Sequence, residues 1–376
     1  MNTVDKPTSA PRDDSPRPAI LRSHLPSLDG MRAISILMVV VAHGSGAIGH
    51  PVQYCLYLGN LGVSIFFVIS GLLITWLMIR ERDATGAFSL PNFYIRRFLR
   101  IIPVFWLLLL TVTVLKVTNV ISISSIDILR ALTFTHNYPL ALHSNADYSW
   151  WLHHTWSLSL EEQFYLVWPG LFVLLPRRYA PRLAVTLAFC GPVLRIANYY
   201  LFPVFRGAEW GIFQTRIDIF MAGCASAYLI ESSRWSNRIR KIPVWFALSV
   251  ASLVLLFAIP MLNAHLRPHT RPYAVAALVL PTVEAALIAV ALLVVIEGTK
   301  GIAFKVLNWP ALQHIGKLSY GLYLWQQLFL APYSSGSLVS LLLRLGATYL
   351  VALCSFTFFE KPFFGLRRHF RHGVAV

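Results

Sequence analysis

Ten stretches of about 20 mostly apolar residues follow one another along this chain of 376 residues. A helix needs about 20 such residues to cross the hydrocarbon layer of a bilayer. Charged residues make up 13% of the chain, against about 25% in a soluble domain. This excludes an ordinary soluble enzyme and predicts an all-α, polytopic membrane helix bundle with about ten transmembrane helices. The predicted spans are 32–50, 57–79, 101–120, 155–176, 183–203, 211–231, 243–263, 273–296, 315–333 and 338–358.

The chain carries a net charge of +16, which in a soluble protein would indicate an anionic partner such as nucleic acid. The distribution of the charge argues otherwise. If the N-terminus is cytoplasmic, 23 of the 32 Lys and Arg residues fall in cytoplasmic segments and five in outer segments. Basic residues accumulate on the cytoplasmic side of membrane proteins. We therefore expect both termini in the cytoplasm, the lipid bilayer as a partner, and no nucleic acid.

The two ends of the chain differ from its apolar middle. Residues 1–27 are polar, contain five prolines and lack the apolar run of a signal peptide, which predicts a disordered cytoplasmic tail. Residues 28–365 form the predicted membrane domain, and 366–376 a basic cytoplasmic tail. The four cysteines are scattered without a C-x-x-C pair, which predicts reduced thiols and no metal site.

Titratable side chains at bilayer depth are costly and usually serve a site or a pathway. In the first stretch, His43 follows Arg32 by 11 residues, or roughly 16 Å along a helix. His43 is a candidate general base, because imidazole titrates near neutrality. The alternative is a buried histidine that hydrogen-bonds to a neighbouring helix, and Arg32 has an alternative as an interfacial anchor.

Two further stretches carry charges in their outer parts. Glu161 and Glu162 lie in the fourth stretch, and Arg216 and Asp218 in the sixth. Adjacent residues on a helix point about 100° apart, so one of the two glutamates is expected to face a central cavity. These four residues and His43 are predicted at similar depth. A structural alternative is that the glutamates neutralise Arg195 or Arg216.

Arg97 and Arg100 precede the third stretch on the cytoplasmic side and share a helix face at i, i+3. Arginine binds phosphate through bidentate hydrogen bonds, so a phosphate-bearing donor is expected to dock there. Positive-inside anchoring would produce the same composition. In the second stretch, the small residues of 62–71 favour close helix packing, and the alternative is that its hydroxyls line a cavity.

The loop before the fourth stretch, 121–154, is long and mixes aromatic with hydrogen-bonding side chains. This composition suits a sugar-binding face. A belt of tryptophans at the membrane interface explains Trp150 and Trp151 at least as well, and both interpretations stay open.

Seven short motifs give residues 28–365 a resemblance to the integral membrane acyltransferase 3 family, the bacterial group that O-acylates surface polysaccharides, lipid-linked glycans and glycosides. The motifs are Leu28–Gly30 with Arg32 and His43, Gly62–Gly71, Arg97–Ile101 with Pro103, Thr155–Tyr165 with Ser157, Arg216–Asp218 with Gly223, Ser319–Trp325 with Tyr323, and Phe359–Pro362.

The resemblance implies a location in the bacterial inner membrane and an acyl-CoA co-substrate, usually acetyl-CoA, with no bound cofactor. It implies essential roles for Arg32, His43, Arg97 and Arg100. Of the two adjacent glutamates, it favours Glu161 over Glu162 as the functional residue. Ser157, Tyr323, Glu162, Arg216 and Asp218 become substrate-binding or structural polar residues. In the ninth-stretch motif this chain has Gln326 where the family often has histidine, so that position is assigned no proton-transfer role. The end at Val376 leads us to expect no fused hydrolase-like domain.

Together these features predict that CoA phosphates bind Arg97 and Arg100 and that His43 deprotonates a hydroxyl of a carbohydrate or glycoside acceptor. Glu161 would orient that hydroxyl. A transporter or flippase for an anionic lipid-linked glycan is the alternative, followed by a purely structural assembly partner. The sequence indicates neither the acceptor nor the oligomeric state.

Overall fold

The computed structural model describes residues 25, 27–47, 53–138, 150–202, 211–259, 271–331, 337–367 and 370. Within these ranges the regular structure is entirely helical. The helices are α1 (Leu28–Ala47), α2 (Gln53–Thr85), α3 (Leu90–Val117), α4 (Ser125–Leu132), α5 (Thr155–Leu174), α6 (Ala180–Leu201), α7 (Phe213–Glu231), α8 (Ser233–Ile239), α9 (Val244–Leu253), α10 (Arg271–Glu297), α11 (Ile302–Leu307), α12 (Pro310–Phe329), α13 (Leu338–Cys354) and α14 (Lys361–Arg367). A π-helical turn, Ser355–Glu360, joins the last two.

Six of the helical segments are long and apolar enough to cross a membrane, so the chain is a multi-pass membrane protein. These segments are Leu28–Ser45, Cys55–Thr85, Leu90–Val117, Ala180–Leu201, Leu278–Glu297 and Leu338–Leu366. The predicted all-helical class is confirmed for the described residues, whereas the count of ten spans and the cytoplasmic termini stay predictions. The predicted tail 1–27 and the end of the chain after 370 lie almost wholly outside the described residues.

Helices α5, α7 and α12 are less apolar because polar side chains interrupt them. Their polar parts face protein: the first six residues of α5 are buried, as are Gln326 and Gln327 of α12. A buried helix does not need a lipid-compatible surface. Its polar residues are instead available to line an interior space.

Glycines bring the central helices into direct backbone contact. A Cβ atom added at Gly71 of α2 would lie 2.0 Å from the carbonyl oxygen of Phe220, and one at Gly223 of α7 would lie 2.1 Å from that of Val68. Only glycine permits so close an approach. A Cβ on Gly316 of α12 would come within 1.9 Å of the carbonyl oxygen of Asp29, which lies at the start of α1. These contacts fix α2 against α7 and α1 against α12.

Buried side chains in the described part of the segment between α3 and α5 form hydrogen bonds that hold it in place. His136 Nδ1 lies 2.5 Å from Thr155 Oγ1 at the start of α5. Asn137 Nδ2 donates to the Gly211 carbonyl oxygen at 2.9 Å, and Gln163 Nε2 donates to Asn137 Oδ1 at 3.0 Å. This segment therefore holds the beginning of α5 in place.

Candidate active site

A cavity with a volume of about 90 Å³ lies between α1, α2, α3, α5 and α12. Its polar lining consists of Arg32, Ser70, Arg97, Arg100, Ser157, Glu161, Tyr165, Ser319, Tyr320 and Tyr323. The other lining residues are apolar. Three arginines against one glutamate make this an electropositive cavity within an apolar bundle.

Helical periodicity explains why these residues converge. Ser157, Glu161 and Tyr165 are spaced i, i+4, i+8 along α5, so they form one stripe that faces the cavity. Arg97 and Arg100 share a face of α3, as their i, i+3 spacing predicts. Once the orientations of α3 and α5 are known, their local sequences determine where these five residues lie.

Glu161 is held by hydroxyl groups from two helices. Ser70 Oγ of α2 and the Tyr165 hydroxyl both donate to Glu161 Oε1, and these two hydroxyl oxygens lie 3.1 Å apart. The Arg97 guanidinium stacks over the Tyr165 ring, with its central carbon 4.9 Å from the ring centroid. The carboxylate is thus fixed in the same cavity as the arginines.

Glu162 points elsewhere. It is absent from the cavity lining, and its buried Oε1 has no hydrogen-bond partner among the described residues. The structure thus places Glu161, and not its neighbour, in the site. The glutamates do not neutralise Arg195, because Arg195 pairs with Asp218.

Tyr323 and Ser157 lie at the end of the cavity where α5 begins. The Tyr323 hydroxyl is 2.5 Å from Ser157 Oγ, and it donates to the carbonyl oxygen of His154 at 2.5 Å. Tyr323 thereby ties α12 to the turn that precedes α5. These two residues separate the arginine-lined part of the cavity from the side chains that follow along α1.

His43 lies beyond this end and does not line the cavity. It is about 16 Å from Arg32 along the continuous helix α1. Its ring meets the Trp150 ring edge-on at 5.5 Å between centroids, and Gln326 lies beside it. His43 Nδ1 is buried without a hydrogen-bond partner in the part of the chain that the structure describes.

His43, Glu161 and the charges of α7 are predicted at similar depth, but their side chains face different neighbours. Glu161 faces the arginines, and His43 belongs to a separate, uncharged set of side chains. The reason is that α5 turns Glu161 towards α2 and α3, whereas His43 points towards the turn at Trp150. Depth along the chain does not determine which helix faces meet.

Arg216 and Asp218 are also outside the cavity. Asp218 Oδ2 accepts hydrogen bonds from Arg195 Nη2 at 2.9 Å and Thr282 Oγ1 at 2.5 Å. Arg216 Nη2 donates to Ser64 Oγ at 3.3 Å. The hydrogen bonds of the two residues join α7 to its neighbours α2, α6 and α10.

Four cavity residues were not singled out from the sequence: Ser70, Tyr165, Ser319 and Tyr320. Tyr165 carried a signal, because it follows Glu161 by four residues and therefore shares its helix face. Ser70 lies within 62–71, for which the sequence favours helix packing over hydroxyls that line a cavity. That assignment holds for Gly71, whereas the adjacent hydroxyl faces the cavity.

Apolar spanning helices around an arginine-lined cavity define a multi-pass membrane protein with a binding site inside its helix bundle. The chain belongs to the acyltransferase 3 family, whose family model, described as an acyltransferase domain, matches residues 25–359. The match confirms the resemblance seen in the sequence motifs.

Similar proteins are also O-acetyltransferases by name. The chain is 30% identical over 363 residues to a protein of Staphylococcus aureus (strain COL) provisionally named an O-acetyltransferase, with 90% of this chain and 57% of that protein covered. It is 26% identical over 367 residues to the peptidoglycan O-acetyltransferase OatA of Listeria monocytogenes, with 91% and 56% covered. The chain thus spans a little over half the length of these relatives. No solved structure matches it.

Proposed function

We propose that this protein is a membrane O-acyltransferase that moves an acyl group, in the first instance acetyl, from a cytoplasmic CoA thioester to a hydroxyl of a carbohydrate. The observation that carries the proposal is the convergence of Arg32, Arg97 and Arg100 on one cavity that also holds Glu161. Membership of an acyltransferase family and the names of the relatives support the reaction class.

The three arginines supply the donor site. CoA carries a diphosphate and a 3′-phosphate, and guanidinium groups bind such oxyanions through paired, charge-assisted hydrogen bonds. Arg97 and Arg100 lie near the start of α3, at the end of the bundle that we propose is cytoplasmic. The apolar lining next to them suits the pantetheine arm, because that arm is uncharged.

Glu161 offsets part of the positive charge of the arginines but does not take the place of a phosphate on them. Glu161 Oε1 accepts hydrogen bonds from the hydroxyls of Ser70 and Tyr165, so the carboxylate cannot rotate freely. A fixed carboxylate beside Arg97 orients the guanidinium towards the open part of the cavity. This gives Glu161 a role on the donor side rather than beside His43.

His43 is the proposed general base. In the transfer, the acceptor hydroxyl oxygen forms a bond to the thioester carbonyl carbon, His43 takes the hydroxyl proton, and the carbon–sulfur bond breaks. The proton then passes to the CoA thiolate, so the products are the ester and free CoA with no net proton released. The thioester has to approach His43 past Tyr323 and Ser157, which lie between it and the arginines.

The test uses the purified protein in nanodiscs with labelled acetyl-CoA and a glycan acceptor. Because one relative is named a peptidoglycan O-acetyltransferase, unacetylated peptidoglycan strands are the first acceptor to try. We expect ester formation by the wild type and loss of at least about 100-fold in His43→Ala, the scale of general base catalysis. Wild-type rates in that variant contradict the role of His43, and glycan movement without consumption of the thioester would indicate a transporter.

The proposal includes a placement in the bacterial inner membrane with both termini in the cytoplasm. The distribution of 23 cytoplasmic against five outer basic residues supports this orientation. Reporter fusions at the two termini and within 121–154 test it directly. Activity of a cytoplasmic reporter at 121–154 contradicts the orientation.

A further inference from the structure

We propose that an uncharged cluster at the outward end of the bundle binds the acceptor as a neutral sugar ring. The cluster consists of His43 on α1, Trp150 and His154 in the turn before α5, and Gln326 and Gln327 on α12. We call it the outer polar cluster. It is separate from the arginine-lined cavity, and the inference rests on the proposed transfer to a carbohydrate hydroxyl.

Direct contacts join the members of the outer polar cluster. The ring centroids of His43 and Trp150 are 5.5 Å apart, and Trp150 Nε1 donates to the Gln327 carbonyl oxygen at 2.8 Å. His154 Nδ1 lies 2.5 Å from Gln327 Oε1. Gln326 lies beside the His43 ring, although no well-aligned hydrogen bond joins them.

The hydrogen bonds of Gln327 fix which atoms donate and which accept. Gln327 Oε1 accepts from the backbone N–H of His154 at 3.2 Å, so the amide orientation is set and Nε2 is the donor of this side chain. His154 Nδ1 faces the same oxygen and must therefore carry its proton. Burial lowers the pKa of His154 to about 3, so the ring is neutral and its Nε2 is a hydrogen-bond acceptor.

Four buried polar atoms of the cluster lack a hydrogen-bond partner among the residues that the structure describes. They are His43 Nδ1, His154 Nε2, Gln326 Oε1 and Gln327 Nε2. The two glutamine side chains are fully buried, and His154 is 2% exposed. Buried polar groups in native proteins are nearly always paired. Several unpaired groups on adjoining side chains indicate a place where a polar ligand binds.

The pattern of these groups selects the kind of ligand. A hydroxyl both donates and accepts, so a ring with several hydroxyls satisfies the Gln327 donor and the Gln326 and His154 acceptors together. The half-buried Trp150 ring adds an apolar face of the size of a pyranose.

This position also serves the chemistry. A sugar held by Gln326 and Gln327 has one hydroxyl next to His43 Nδ1, the unpartnered nitrogen of the proposed base. The donor then enters from the arginine-lined side and the acceptor from the opposite side, with Tyr323 between them. Two substrates that approach from opposite ends do not compete for one entrance.

The experiment measures the KM of each substrate separately. Unacetylated surface glycan is isolated from a strain that lacks the gene, and initial rates are measured with the purified full chain and labelled acetyl-CoA. The variants are Gln326→Leu and Trp150→Leu. The matched controls are Gln313→Leu, at the other end of α12, and Trp151→Leu, the neighbouring tryptophan, whose ring packs against the apolar core.

We expect at least a tenfold rise in the glycan KM for both cluster variants, with the acetyl-CoA KM within twofold of the wild type. The controls should stay within twofold on both substrates. An unchanged glycan KM in both cluster variants overturns the site, as does an equal rise for the two substrates. If Trp150→Leu does not fold, Trp150→Phe keeps an aromatic face and should raise the glycan KM by a smaller factor.

Binding of the same glycan without acetyl-CoA, measured by titration calorimetry, separates this site from the proposed function. A wild type that binds the glycan but does not acetylate it contradicts the proposed function and supports the site if the cluster variants bind less. A wild type that acetylates the glycan while the variants behave like it contradicts the site alone. A wild type that neither binds nor acetylates the glycan contradicts both the site and the proposed function.

Discussion

The hydroxyl of Tyr323 and the hydroxyl of Ser157 lie 2.5 Å apart, at the end of the arginine-lined cavity nearest to His43. The same tyrosine hydroxyl donates to the His154 carbonyl oxygen. The pair therefore stands between the side chains proposed to bind the donor and those proposed to bind the acceptor. An acyl group that moves from one set to the other has to pass these two residues.

We predict that Tyr323→Phe lowers kcat by about tenfold or more and leaves the acetyl-CoA KM within twofold. The change removes the hydrogen bonds of the tyrosine hydroxyl with Ser157 and with the His154 carbonyl oxygen, and leaves these two groups only the longer bond of 3.3 Å between them. Tyr94→Phe is the control, because the Tyr94 hydroxyl donates to the Leu166 carbonyl oxygen and Tyr94 does not line the cavity. A higher acetyl-CoA KM with unchanged kcat would instead place Tyr323 in the donor site.

We predict a clear difference between the two adjacent glutamates. Glu161→Gln retains a group that accepts hydrogen bonds from Ser70 and Tyr165 but removes the charge beside Arg97. It should reduce kcat/KM for acetyl-CoA by about tenfold, equivalent to about 1.4 kcal/mol. Glu162→Gln should have less than a twofold effect, because this side chain does not line the cavity. Equal losses in the two variants contradict the assignment of Glu161.

Much of this site is predictable from sequence. There is a physical reason why the remainder is not. Spacing along a helix places Arg97 with Arg100, and Glu161 with Ser157 and Tyr165, because side chains at i, i+3 and i, i+4 share a face whatever the tertiary structure. The relation between faces on different helices is a tertiary property. For that reason the sequence placed Glu161 with His43, whereas the structure places it with the arginines.

The same limit applies to Asp218. Its depth in α7 matched that of His43, but its partner is Arg195 on α6. The pair depends on Gly191, where an added Cβ would lie 2.0 Å from Asp218 Oδ2. Nothing local in the sequence connects residues on these two helices.

We predict that the Arg195–Asp218 pair contributes to stability rather than to catalysis. Asp218→Asn or Arg195→Met alone leaves one buried charge without its partner, which costs about 3–5 kcal/mol. The double variant should recover part of this loss, because no unpaired charge remains. Thermal unfolding in detergent, followed by tryptophan fluorescence, measures the effect. A double variant that is no more stable than either single variant contradicts the ion-pair explanation, and restored stability without activity indicates a functional role.

We predict that Arg100→Lys raises the acetyl-CoA KM by about tenfold, since a lysine cannot form the paired hydrogen bonds of a guanidinium with phosphate. Arg96→Lys is the matched control: Arg96 belongs to the same basic segment but is engaged by Glu81 at 2.7 Å and by the Phe370 carbonyl oxygen at 2.8 Å. The control should stay within twofold. Positive-inside anchoring alone predicts equal, small effects of the two substitutions, so the ratio of the two KM values distinguishes a donor site from an anchor.

We predict that His136 makes the segment between α3 and α5 sensitive to acid. Burial and the nearby Arg130 lower the pKa of His136 from 6.5 to about 4, with Asp127 4.0 Å from its Nε2 and Thr155 on its Nδ1. The unfolded chain therefore binds a proton that the folded chain does not, between about pH 6.5 and 4, and the stability of the protein falls as the pH is lowered through that range. His136→Gln removes this titration while it keeps a group that hydrogen-bonds Thr155. Its unfolding temperature, measured at pH 7.5 and 5, should fall less than that of the wild type. An equal fall in the two proteins would show that His136 is already protonated in the folded state or that other groups dominate the acid sensitivity.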